Sequence, residues 1–167
     1  MPKMELYGLT KDGHEVFSRV DTDVNHVHCS KVTLRQGLEK IELGEQKFSR
    51  HQVMFDYVIG KDRCVHTNPG DTVVMYQRPG RIGETPMVMN RKSDDTKQLN
   101  VVVGYDDTIE RFVVITAFMG MMAPQEPWDP HCEDKAKSEE FWATHALVPD
   151  TKTYVDIKNS LKKAKAS

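Results

Sequence analysis

Between residues 72 and 118 the sequence repeats one pattern four times: a short run of β-branched and apolar residues, then a short polar turn. The runs are TVVMYQ (72–77), TPMVMNR (85–91), LNVVVGY (99–105) and RFVVITAF (111–118), separated by RPGRIGE, KSDDTKQ and DDTIE. Connections this short join antiparallel neighbours, because a parallel pair needs a crossover of a dozen residues or more. The pattern predicts a four-stranded antiparallel meander. The third and fourth runs are apolar on both faces and read as central strands. Pro86 lacks an N–H, which confines the second run to a sheet edge or puts the proline at a strand start.

The flanks read differently. MELYGLTKDGHEVFSRV (4–20) is two apolar-containing runs around KDG, a hairpin in which Gly13 supplies a positive φ. In residues 21–44, Leu34, Leu38 and Ile41 recur at helical spacing, Asp23 or Ser30 offers an N-cap, and Gly44 is a stop. Gly37 inside that pattern costs up to about 1 kcal/mol relative to alanine and is a place where the helix breaks. In SRHQVMFDYVIGK (49–61), Phe55 and Ile59, with Phe48 just before, suit a helix capped by Ser49, while YVI (57–59) also suits a strand. Asn68-Pro69-Gly70-Asp71 is a turn. DKAKSEEFWATHAL (134–147) reads as a helix with Phe141 and Trp142 toward the core, and TYVDIKNSLKKAKAS as a last amphipathic helix. The fold class is α+β: an N-terminal hairpin and helices, the four-stranded sheet, and a C-terminal helical cap. At 167 residues, 1–167 reads as a single globular domain with a flexible basic tail from about 160.

Composition narrows the function classes. The formal net charge of −2 argues against a broad, non-specific nucleic-acid binder, although a local basic site is compatible with it. No run approaches the roughly 20 apolar residues of a membrane span, and the N-terminus has no apolar signal region. The expectation is a cytoplasmic protein with no membrane partner. Cys29, Cys64 and Cys132 are odd in number and lack CxxC spacing, so they read as reduced thiols.

Most catalytic signatures are missing. There is no GxSxG elbow, no HExxH pair, and no phosphate-binding glycine loop, since GRIGE lacks both the helix context and the lysine. His26 and His28 would share a face of a strand beside Cys29, and His131-Cys132 sits in a loop, but no matching third and fourth ligands follow. Neither a metal nor another cofactor is expected. Asp94-Asp95 and Asp106-Asp107 fall in turns and read as solvated residues.

Metal-independent RNA cleavage needs a different set: a base for the 2′-hydroxyl, an acid for the leaving oxygen, and a cation for the phosphorane. His28, Lys31 and Arg35 lie on one segment, with the two cations at i, i+4. Arg78 and Arg81 bracket a hairpin loop, and Arg111 and Thr116 belong to the last strand. A small antiparallel sheet after helices, ending in FVVIT plus an aromatic, resembles the ribonuclease-toxin group that unites barnase-like, EndoU-like, colicin-nuclease-like and RelE-like domains. HCSKVTLRQGL (28–38) places His28, Gly37 and Leu38 at separations similar to the first helix of some of its families. Val32 and Gln36 stand where those families carry arginines, and Lys31 and Arg35 fall one residue earlier. The resemblance spans residues 26–118 and implies RNA as substrate. His28 would be the general base or acid, Arg111 a phosphate contact, and Thr116 a hydrogen-bond donor to phosphate.

Outside that span, Trp128 and His145 read either as a base-stacking surface or, more commonly, as packing beneath a cap helix. Two further readings stand beside the ribonuclease. One is a non-catalytic α+β protein-binding module, an inhibitor, immunity or adaptor protein, which the acidic balance and nine methionines suit. The other is a small-ligand protein with the aromatic segment as its lid. A nuclease requires the basic and histidine groups to converge in a cleft, whereas a binding module leaves them scattered.

Overall fold

The structure, a computed structural model, describes residues 4–19 and 27–166. Asp23 and His26 lie outside the described residues. In chain order the first elements are β1 (Leu6–Leu9), β2 (Glu15–Phe17), β3 (Val27–His28), α1 (Lys31–Leu38), β4 (Phe48–Met54), β5 (Gly60–Asp62) and β6 (Cys64–His66). Then follow β7 (Val73–Tyr76), β8 (Thr85–Val88), β9 (Asp94–Thr96), β10 (Gln98–Asp106) and β11 (Arg111–Met119). The chain ends with α2 (Lys135–Trp142), β12 (His145–Leu147) and α3 (Thr151–Ala166). The class is α+β. No helix among the described residues is long and apolar enough to cross a membrane.

The chain forms two compact units, Met1–Lys61 with Asp95–Gly120, and Asp62–Asp94 with Met121–Ser167. In the first, the sheet order is β1-β2-β11-β10-β4. β2 and β3 share the outer edge of β11, running parallel to it at Phe112–Val113 and Ala117–Phe118 respectively. The β10–β11 hairpin is antiparallel with one bulge, where Ile115 is the extra residue between Thr116, opposite Val102, and Val114, opposite Val103. One face of this sheet presents Val53, Leu99, Val101, Val103, Val114 and Ala117 to Leu34 and Leu38 of α1 in a single apolar cluster. Ser30 caps α1, its Oγ accepting from the Thr33 amide. Gly37 does not break the helix. It lies where a Cβ would stand 2.6 Å from Leu99 Cδ2, so its missing side chain lets α1 approach β10.

The second unit holds a four-stranded sheet of order β6-β12-β8-β7 over a cluster of Val65, Val88, Ala146 and Val148. The expected single meander is therefore corrected. All four runs are strands, but β7 and β8 belong to one sheet and β10 and β11 to another, and both sheets mix parallel with antiparallel pairs. The reason lies in KSDDTKQ, which is no hairpin turn. It contains β9, which pairs with β5, and Arg91 just before it is anchored by ion pairs to Asp71 and Asp94. β8 is an inner strand. Its Pro86, one residue in, faces Met75, while β12 meets β8 only at Met87, so no ladder bond needs the absent N–H.

The C-terminal helix expected over 134–147 is also shorter. Asp134 caps it, accepting from the Lys137 amide, but the helix stops at Trp142 and His145–Leu147 becomes β12 against β6. Its buried residue is Ser138, and Phe141 and Trp142 are only half-buried.

Candidate functional site

The residues expected to handle RNA fall in both units, and within each unit they are set apart. In the first, register puts His28 opposite Phe118 and Thr116 opposite Val102, on the sheet face turned away from α1. His28 is exposed and Thr116 half-buried. Arg111 projects from the same face but at the far end of β11, where its guanidinium stands 5.3 Å from the centre of the Phe17 ring. Seven residues of strand separate Arg111 from the position beside His28, on the order of 20 Å. Lys31 and Arg35 ride on α1, which covers the opposite face. Lys31 Nζ donates to Glu5 Oε1 at 2.8 Å, a contact that raises the lysine pKa. Arg35 lays its stem against Gly8, where a Cβ would sit 3.1 Å from Arg35 Cγ. Of these five residues, His28 and Thr116 are neighbours on one face of the sheet and Lys31 and Arg35 are neighbours on α1, across the sheet from them.

In the second unit the corresponding residues hold the structure together. Arg78 donates to Glu126 Oε1, which also accepts the Thr85 hydroxyl at 2.9 Å. Glu126 and Thr85 are buried, and burial pushes the Arg78 pKa down even beside its carboxylate. Arg81 is exposed at the loop between β7 and β8, its carbonyl accepting from Gln77 Nε2 at 2.7 Å. Trp128 donates its indole N–H to the Glu84 carbonyl at 2.8 Å and lies over Gly83, where any side chain would collide with the ring. His145 stacks on Phe141 with centroids 3.9 Å apart and planes 5° apart, its Nδ1 2.8 Å from the Phe141 carbonyl. The cysteines are free, and burial pushes the Cys64 thiol up to about 12 and the Cys29 thiol to about 11. Among the described residues no three His, Cys, Asp or Glu side chains gather as a metal site.

The first unit also has a long, regular outer strand. β4 is an outer strand of its sheet, seven residues long and paired with β10 without a bulge. Beside it runs an open groove of about 670 Å³, lined by Lys11, Lys40, Glu42, Arg50 and His51 among others. The β1–β2 turn fixes one wall. There the Asp12 carboxylate accepts from the Thr10 hydroxyl at 2.6 Å and from the Leu43 and Gly44 amides. The Thr10 bond, with that from Gly44, holds the acid well below the usual carboxylate range. That clamp places Lys11 beside the segment after α1, where it pairs with Glu42 at 3.6 Å.

His51 and Ser49 Oγ are hydrogen-bonded through Nε2 at 2.7 Å, and desolvation lowers the histidine pKa. Three cations against one carboxylate leave the groove with a surplus of positive charge.

Sequence reasoning missed this strand because its alternation is inverted. Ser49, His51 and Val53 point inward while Phe48 and Met54 face solvent, 53% and 62% exposed. The readable signal was the seven-residue alternation itself, without proline or glycine. Compared with protein-family models, curated proteins and solved structures, the chain matches none of them.

Proposed function

We propose that this chain is a non-catalytic protein-binding module that works through the outer edge of its first sheet. The observation that carries the reading is β4: a long, regular edge strand flanked by a charged groove, with Phe48 and Met54 exposed on it. Soluble proteins blunt such edges unless they use them, because open backbone groups recruit other strands. The ribonuclease reading has less support. Metal-free RNA cleavage needs base, acid and cation around one phosphate, and the candidate histidine His28, with Thr116 beside it, lies on the sheet face opposite Lys31 and Arg35 and at the other end of β11 from Arg111. The small-ligand reading has less support, since the indole N–H groups of Trp128 and Trp142 already donate to the Glu84 and Pro124 carbonyls.

The test has two arms on one preparation. Purified protein is incubated with total RNA and a tRNA pool in EDTA, beside His28→Ala and Thr116→Ala samples. Intact RNA at micromolar protein is expected; discrete fragments from wild type that both variants lose would overturn the reading. In the second arm, cytosolic proteins retained by wild type and by Gln52→Pro are compared. The reading expects a protein that wild type retains and the edge variant releases. Identical retention by both would count against it.

A further inference from the structure

The pairing register of β4 specifies what its edge can take. Phe55 N donates to the Lys97 carbonyl at 2.8 Å and Tyr105 N to the Lys47 carbonyl at 2.7 Å, so odd-numbered residues of this segment carry the hydrogen bonds to β10. In an antiparallel pair the residues between them turn both N–H and C=O outward. Phe48, Arg50, Gln52 and Met54 therefore present four donor–acceptor pairs to the open side, and all four are exposed. Their spacing is two residues, about 6.8 Å, the repeat of another extended chain. Among the described residues no strand pairs with this side.

The other sheet edges are not comparable. β1 has four residues and a register shift, β6 has three, and β7 has four. Among the edges of the described residues, β4 alone combines length with regularity, and it carries neither proline nor an inward-pointing lysine, the usual protections of an edge.

We propose that the β4 edge binds an extended, acidic peptide segment of a partner protein as an added strand. This rests on the protein-binding reading and names its partner's chemistry. The backbone of the peptide pairs with the four outward donor–acceptor sets, and its side chains alternate between the two faces. On the α1 face alternate residues meet Lys11 and Lys40, and on the opposite face they meet Phe48, Arg50 and Met54, of which Arg50 and Met54 also line the groove. Carboxylates suit the first set and the position beside Arg50, while apolar residues suit those beside Phe48 and Met54.

Charge and geometry separate this occupant from two others. A second copy paired antiparallel, β4 to β4, would bring two cation-rich grooves together about the two-fold axis, like charge near like. A nucleic acid would engage the cations but would leave the alternating carbonyls and amides of the edge without a matching backbone.

The probe is a fluorescein-labelled ten-residue peptide of alternating threonine and glutamate. One control has lysine for glutamate, and another is N-methylated on alternate amides. Binding is read by fluorescence anisotropy and by amide chemical shifts of the ¹⁵N-labelled full chain. Saturable binding of the glutamate peptide is expected, with the largest shifts at Phe48, Arg50, Gln52 and Met54. The lysine control should not bind, and N-methylation should weaken binding tenfold or more. Lys40→Glu with Arg50→Glu should reduce affinity at least tenfold. Gln52→Pro should do the same, since it removes an outward N–H that the fold does not use; dichroism identical to wild type checks that each variant folds.

Undiminished binding of the N-methylated peptide would overturn strand addition, leaving charge alone. A concentration-dependent dimer abolished by Gln52→Pro would assign the edge to a second copy. Tighter perturbation of the same amides by an RNA oligonucleotide would replace the peptide with nucleic acid. No binding of the peptide, with RNA intact and partner retention lost in Gln52→Pro, would refute the acidic chemistry and leave the protein-binding reading standing.

Discussion

Gly37→Ala tests whether α1 and β10 touch as closely as the structure has them. A methyl group there would lie 2.6 Å from Leu99 Cδ2 and 3.9 Å from Phe55 Cζ. Carbon atoms in contact prefer about 3.5–4.0 Å, so Leu99 must move by roughly an ångström. Leu99 has no exposed surface and sits among Leu34, Leu38 and Val101, so it has no empty space to turn into. Overpacking of this kind costs about 1–3 kcal/mol. Removing a glycine from a helix interior returns about 1 kcal/mol. The net is a destabilisation of about 1 kcal/mol, opposite in sign to what helix propensity alone gives. Leu99→Ala by itself should cost about 2–5 kcal/mol, and Gly37→Ala added to it should recover part of that, because the new methyl then fills space. Both tryptophans lie in the second unit, so the readout is hydrogen exchange of the slowest β10 amides. A Gly37→Ala protein more stable than wild type by about 1 kcal/mol would refute the close approach.

Three further outcomes follow from particular contacts. Glu126→Ala leaves Arg78 and Thr85 without their shared buried acceptor and should destabilise the second unit by about 3 kcal/mol, read by tryptophan fluorescence in urea. Asp150 accepts from the Thr153 amide at 2.7 Å at the start of α3, and its pKa is lowered chiefly by that bond. Its contribution is complete above the ordinary aspartate value and disappears as pH falls through the lower folded value. Asp150→Ala should therefore cost about 1 kcal/mol at neutral pH, and the difference from wild type in thermal dichroism scans should vanish in strong acid. Glu110 holds φ at 53° in the turn between β10 and β11. Glu110→Gly should stabilise by about 0.5 kcal/mol, the relief of left-handed strain less the entropy of glycine, and no rise in Tm would contradict that.

Local chemistry was legible in the sequence wherever it was self-contained. The Gly13 turn, the Ser30 cap and the two central strands are set by neighbouring residues and by apolar runs, and the structure has them all. What failed depended on distant partners. KSDDTKQ has the composition of a turn, and only the anchoring of Arg91 and the pairing of β9 with β5 make it a passage between sheets. His145–Leu147 continues a helical pattern but finds β6, and the strand wins. Gly37 reads as a helix breaker until Leu99 is seen against it. The β4 groove was hidden for the same reason. Lys11, Lys40 and Arg50 are 39 positions apart at the extremes and meet only because Asp12 ties the first turn to Leu43 and Gly44.

The central claim is that β4 has a free edge, and residue-resolved amide hydrogen exchange of the isolated chain tests it most directly. The account predicts alternation along the strand. The amides of Ser49, His51, Val53 and Phe55 should be protected by β10, and those of Phe48, Arg50, Gln52 and Met54 should exchange near the rate of open chain. Equal protection of both sets would mean that the edge is already occupied, and it would contradict the account.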